Sequence, residues 1–185
     1  YCSIASGLGF MSDVKRCYEN LSDDVKSSVP GENLREGVEK YVSLSVGFEA
    51  KDFTLDNVDG KAIGMKQYLK GKKLVLLDFW ASWCGPCRKE GENIKAIYQD
   101  FHDQGFDVLG ISLDSKKEAW LKGIQEEGYK WEQVSDLLGV KSPVCKAYDV
   151  NGIPALFLLD GDGKVIGKNL RGDDLRKKVA EYLNR

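Results

Sequence analysis

From about residue 46 onward, short apolar runs alternate with amphipathic stretches, the pattern of strands interleaved with helices. Residues 74–79 are nearly all apolar and β-rich, as expected for a strand covered on both faces. The pattern predicts a helix over 84–101, a strand over 106–113 and a second helix over 117–127. Upstream, residues 52–55 and 61–63 flank the turn Val58-Asp59-Gly60 and read as a hairpin. Near the end, residues 155–159 and 165–168 flank Asp160-Gly161-Asp162-Gly163, a stronger hairpin signal, and a helix over 173–183 closes the chain. Strand-helix-strand order followed by a hairpin and a helix implies an α/β fold with a mixed sheet and helices on both faces.

Residues 1–45 follow a different rule. Asn33 with Glu36 resembles a capping box, and Leu34, Val38, Tyr41 and Val42 recur at helical spacing. An amphipathic helix is therefore expected after the breaker Pro30-Gly31. Before it, Ser12 would cap a helix carrying Val14, Cys17, Tyr18 and Leu21 on one side. We read 1–45 as a helical prelude from a longer precursor and 46–185 as the main domain.

Composition narrows the function. The 185 residues are 42% hydrophobic and 30% charged, and a chain of this length buries roughly 70% of its unfolded surface, so it needs no metal or disulfide to hold a core. Twenty-seven basic side chains against 29 acidic ones leave a net charge of -2, which argues against nucleic-acid partners. No apolar run reaches the ~18 residues of a membrane span, because Asp78 interrupts the best candidate. The single histidine, His102, excludes metal sites built on several imidazoles, and its polar surroundings mark it as a surface ring at a helix end.

Of the five cysteines, only Cys84 and Cys87 stand at a chemically meaningful spacing, in Trp83-Cys84-Gly85-Pro86-Cys87 between a buried strand and a helix. There Cys84 falls at the helix N-terminus, where free N–H groups and the helix dipole favour a thiolate. Cys87 lies one turn inside, within reach of a small ring and less exposed. One sulfur can attack a disulfide and the other resolve the mixed intermediate, while Gly85-Pro86 stiffens the loop and starts the helix. A zinc half-site would need a second Cys or His pair, which the chain lacks. An inert disulfide would need neither an adjacent Trp nor a helix N-terminus.

This segment resembles the active site of thioredoxin-fold proteins, and residues 46–185 resemble the TlpA/ResA-like thiol-disulfide oxidoreductases of the bacterial envelope. The likeness runs through Asp52-Phe53-Thr54-Leu55, Asp59-Gly60-Lys61, the dithiol motif, Gly105-Phe106-Asp107-Val108-Leu109-Gly110-Ile111-Ser112 and Tyr148-Asp149-Val150-Asn151-Gly152-Ile153-Pro154. It implies a thioredoxin-like three-layer α/β/α sandwich with an N-terminal helical segment. It implies a cis Pro154 that holds the Ile153 backbone beside Cys84 to pair with an extended substrate. Asp78, six residues before Cys84, matches the buried acid that moves a proton for Cys87, and burial should raise its pKa. Trp83, with Gly85 and Pro86, matches the substrate-facing surface. Three departures stand out: Gly91 and Glu92 replace a helix-kinking proline, Lys51 replaces a proline, and no lysine lies within 108–113 to partner the acid.

The resemblance implies a reductant of protein disulfides with no bound cofactor beyond the Cys84–Cys87 pair, recharged by an upstream dithiol donor. It places the protein in the periplasm or attached to the envelope through a membrane anchor outside these residues. A disulfide-donating oxidase, a peroxidase and a non-catalytic binding module are the alternatives. The peroxidase signature Pro-x-x-x-Thr/Ser-x-x-Cys is missing. Cys145 reads as a buried free thiol, and Cys2 with Cys17 as the pair to suspect of a second disulfide.

Overall fold

The computed structural model describes residues 17–35, 46–47 and 49–184. In chain order the elements are α1 (Asp23–Lys26), β1 (Thr54–Asn57), β2 (Ala62–Gly64), α2 (Met65–Leu69), β3 (Leu74–Trp80) and α3 (Gly85–Phe101). There follow β4 (Phe106–Ser112), α4 (Lys117–Glu127), β5 (Glu132–Ser135), α5 (Pro143–Ala147), β6 (Ala155–Asp160), β7 (Val165–Lys168) and α6 (Gly172–Leu183). The expected strands and helices of 46–185 appear within two residues of their predicted bounds.

The strands form one sheet in the order β2-β1-β5-β4-β3-β6-β7. At its centre β3 runs parallel to β4, from Leu74 opposite Phe106 to Trp80 opposite Ser112. On its other side β3 is antiparallel to β6, ending at Phe79 opposite Ala155. Every residue of β3 and β4 is buried, which explains their mostly apolar character, broken only by Asp78 in β3 and by Asp107 and Ser112 in β4. Alternation along β3 sends Phe79 to one face, where its ring meets Tyr148 at 5.5 Å and Phe157 at 5.8 Å. Trp80 and Asp78 share the opposite face. Trp80 there meets Tyr129 edge-on at 5.0 Å, and α3 packs against α6. The result is a thioredoxin-like α/β/α sandwich.

Strand β5 was not expected, because three of its four residues are polar. Distant partners meet their side-chain oxygens: Gln133 Oε1 accepts from the Trp80 indole at 2.9 Å, and Ser135 donates to the Ser112 carbonyl at 2.9 Å, while the buried Gln133 amide nitrogen has no protein partner. Gly110 is what admits Gln133, since a Cβ at that position would stand 2.2 Å from the Gln133 side-chain oxygen.

The amino-terminal segment corrects one expectation. Residues 29–35 are helical, so Pro30 and Gly31 lie inside the helix rather than before it. Proline is tolerated in a first turn, where its missing N–H has no partner to lose. Gly31 is needed because a Cβ there would meet the Val25 carbonyl oxygen at 1.9 Å. Residues 17–19 are helical, whereas Ser12, Val14 and residues 36–45 fall outside the described residues. Cys17 is an exposed free thiol and not half of a disulfide, and Cys2 lies outside the described residues. His102 is exposed as expected, with its ring stacked on Tyr98 at 4.4 Å.

Candidate active site

The buried strand β3 delivers the chain to a short loop, Ala81–Ser82–Trp83, and α3 begins immediately beyond it. Cys84 is the N-cap of α3, and a disulfide joins it to Cys87. The Cys84 Sγ accepts the backbone N–H of Cys87 at 3.2 Å, so one of the helix's unpaired donors points at the sulfur. Pro86 sits in the first turn, where no acidic residue opposes negative charge. Both cysteines are well covered: Cys84 is 5% exposed and Cys87 3%, a smaller contrast than the sequence suggested.

A buried carboxylate fixes the loop. Asp114, just past β4, accepts from the Ser82 N–H at 2.9 Å, the Ser82 hydroxyl at 2.7 Å and the Ser112 hydroxyl at 2.9 Å. Three donors meet its carboxylate and tie the approach to Cys84 to the neighbouring strand.

Around Cys84 opens a groove of about 700 Å³. Gly85 and Pro86 form part of its wall, while Trp83, Leu113, Val140, Val150 and Ile153 give it an apolar lining. Trp83 is 63% exposed and Val140, on a 3-10 turn at Gly139–Lys141, is 72% exposed. The Ile153 carbonyl oxygen lies 3.8 Å from the Cys84 Sγ, and the Ile153–Pro154 peptide bond is cis. Pro154 itself is buried behind the groove.

Asp78 is buried in β3, 3% exposed, and its carboxyl is raised to about 7, first by loss of water and then by the charge of Glu90. Glu90, one turn beyond Cys87, is buried too and accepts from the Gly172 N–H at 2.9 Å and the Asn93 amide at 3.0 Å. The residue opposite Asp78 on β4 is Gly110. Gln133, from the neighbouring β5, fills the space that Gly110 leaves, and no lysine stands within 108–113. Gly91 also finds its reason here: a Cβ would meet the Tyr129 hydroxyl oxygen at 2.2 Å. Tyr129 is held between Trp80 and Trp131, the latter stacked at 4.6 Å. Arg88, beside Cys87, pairs with Glu127 at 2.5 Å and Glu126 at 3.1 Å, fastening the first turn of α3 to the end of α4.

Cys84, Trp83, Gly85, Pro86 and Ile153 thus meet in one groove, with Cys87 bonded to Cys84 and Asp78 buried in the strand that leads there. Cys145 is a buried free thiol, and burial pushes its pKa up. Sequence reasoning missed Glu90, Asp114 and Val140. Only Glu90 left a trace, at one helical turn from Cys87. Among the described residues no cluster of His, Cys, Asp and Glu could hold a metal ion, and no helix is long and apolar enough to cross a membrane.

Comparison with known proteins gives a consistent picture. The model of the AhpC/TSA family matches residues 46–168. The thiol-disulfide oxidoreductase ResA of Bacillus cereus is 30% identical over 162 residues, covering 87% of this chain and 90% of that protein. The thioredoxin domain of a thiol-disulfide oxidoreductase from Bacteroides vulgatus superposes with a TM-score of 0.70 at 36% identity, over 76% of this chain and 99% of that one. A thiol-disulfide oxidoreductase from Bacteroides fragilis gives 0.68 at 32% identity, over 72% and 98%.

Proposed function

The chain belongs to the AhpC/TSA family and is a thioredoxin-like thiol-disulfide oxidoreductase, and from that premise we propose that its Cys84–Cys87 pair reduces the disulfides of protein substrates. The observation that carries the direction and the substrate is the Cys-Gly-Pro-Cys pair at the mouth of α3, inside an open apolar groove beside the Ile153 backbone. An open groove of about 700 Å³ suits an extended peptide better than a small thiol.

The reaction starts from the dithiol. The Cys84 thiolate, stabilised at the helix N-terminus, attacks one sulfur of the substrate disulfide. A Cys84–substrate disulfide forms, and the departing substrate thiolate takes a proton from solvent. Asp78, ionised above its raised pKa, takes the proton of the Cys87 thiol. The Cys87 thiolate attacks the Cys84 sulfur, the Cys84–Cys87 disulfide closes and the second substrate thiolate leaves. Two electrons have passed to the substrate, and an upstream dithiol protein restores them. Trp83, Gly85, Pro86 and the Ile153–Pro154 loop hold the substrate during these steps. We assign the catalysis to residues 46–185, with 1–45 as a helical lead-in, and place the protein in the periplasm or cell envelope.

The reduction potential of the Cys84/Cys87 couple, equilibrated against a thiol buffer at pH 7, tests the direction. A reductant lies near the thioredoxin value of about -270 mV; a value near about -120 mV marks a disulfide-donating oxidase instead. In the same preparation, Cys87→Ser should accumulate a Cys84-linked mixed disulfide with a protein substrate, and Cys84→Ser should not.

A further inference from the structure

The turn between β7 and α6 reaches both halves of the active site. Strand β7 ends at Lys168, and Asn169, at a φ of +53°, turns the chain away. Beyond the ladder, one further backbone bond and two side chains continue the pairing. The Asn169 N–H donates to the Leu156 carbonyl at 2.7 Å, and its side-chain oxygen accepts from the Leu156 N–H at 3.1 Å. Two residues on, the Arg171 guanidinium donates to the Pro154 carbonyl at 2.8 Å. Pro154 lies just outside the β3–β6 ladder, which ends at Ala155, so this bond braces the loop where strand pairing stops. Next, Gly172, at a φ of +50°, gives its N–H to the buried Glu90 of α3. One four-residue turn therefore ties the Ile153–Pro154 loop and the helix of the two cysteines to the same point.

We infer that Arg171 is a positioning residue for substrate: it holds the Pro154 carbonyl so that the adjoining Ile153 backbone stays aligned for an extended peptide lying beside Cys84. The inference rests on the reading that the substrate is a protein disulfide paired along that loop. Arg171 is exposed and acts from outside the groove, so its removal should not unfold the domain. Nor does it touch either sulfur, so the chemistry of the dithiol should persist without it. What suffers is the capture of a substrate that needs the backbone edge.

The test compares two substrates of the whole chain, with dithiothreitol as electron source. Insulin supplies disulfides in a peptide chain, and cystamine supplies one without a backbone to pair. Arg171→Ala should raise KM for insulin about fivefold, the factor equivalent to about 1 kcal/mol for one net hydrogen bond. The KM for cystamine, the Cys84/Cys87 potential and the melting temperature should stay at wild-type values. Arg171→Lys, which keeps a cationic donor, should restore most of the insulin KM. An unchanged insulin KM in Arg171→Ala overturns the inference, as does a parallel change in both substrates with a lowered melting temperature. If the wild-type chain reduces cystamine but not insulin, the protein-disulfide reading itself falls and the inference with it.

Discussion

Burial raises the Asp78 carboxyl from its ordinary 3.8 to about 7, and the Glu90 charge pushes it the same way. In the unfolded chain Asp78 ionises near its ordinary value, so between about pH 4 and pH 7 the folded protein holds the extra proton. Stability from this group is complete below that window and falls as pH rises through it. Asp78→Asn should remove the slope, leaving the variant more stable than wild type at pH 8 by up to roughly 4 kcal/mol and similar to it at pH 4. Urea unfolding at the two pH values reads this directly, and a wild-type stability that rises from pH 5 to pH 8 would contradict it. The same substitution should slow resolution of the mixed disulfide by about a hundredfold and erase an inflection near pH 7 in its rate. The burial of Asp78 was legible because it interrupts an apolar run, and its proposed role came from the resemblance, which places an acid six residues before Cys84. Glu90 was not, since on paper it is one of many charges on a helix.

At the scale of elements, α3 and the loop before it are held from outside. Gly91 lets α3 lie against Tyr129, whose ring is confined by Trp80 and Trp131. Gly91→Ala should therefore cost about 2 kcal/mol by overpacking, despite alanine's better helix propensity. Pairing it with Tyr129→Phe, which removes the atom at 2.2 Å, should return part of that loss in a double-mutant cycle. The loop depends on Asp114, so Asp114→Ala strands two part-buried donors of Ser82 and one buried donor of Ser112 and should cost about 3 kcal/mol, measurable by urea unfolding. A loss below about 1 kcal/mol would mean that water replaces the carboxylate freely. Neither dependence could be seen in the sequence, where Gly91 stood only as a departure from a familiar proline and Asp114 as an ordinary loop acid. Strand β5 escaped for a related reason: Gln133 and Ser135 are buried where distant groups, the Trp80 indole and the Ser112 carbonyl, answer their side-chain oxygens. Helix α2, with five residues, is too short to show a period.

For the whole molecule, the redox couple and the fold are linked by a thermodynamic cycle. A disulfide that forms readily in the folded protein, and so leaves a strongly reducing dithiol, stabilises that fold in return. The reductant reading therefore requires the oxidised protein to have a higher urea midpoint than the reduced one, and a reversed order would favour the oxidase. Both forms share one scaffold, the sheet whose β3 and β4 are buried throughout. The succession of β3, α3 and β4 along the chain and the position of the dithiol at the mouth of α3 were determined by the sequence alone. Each rests on local signals: apolar runs, helical spacing and two cysteines three residues apart. Which polar groups answer one another was decided only by tertiary structure. Ser82 meets Asp114 across 32 residues, Arg171 meets Pro154 across 17 and Gly172 meets Glu90 across 82. Such pairings leave no period in the chain, because a buried charge or carbonyl is satisfied by whatever donor the fold brings within about 3 Å, however far away it stands in sequence.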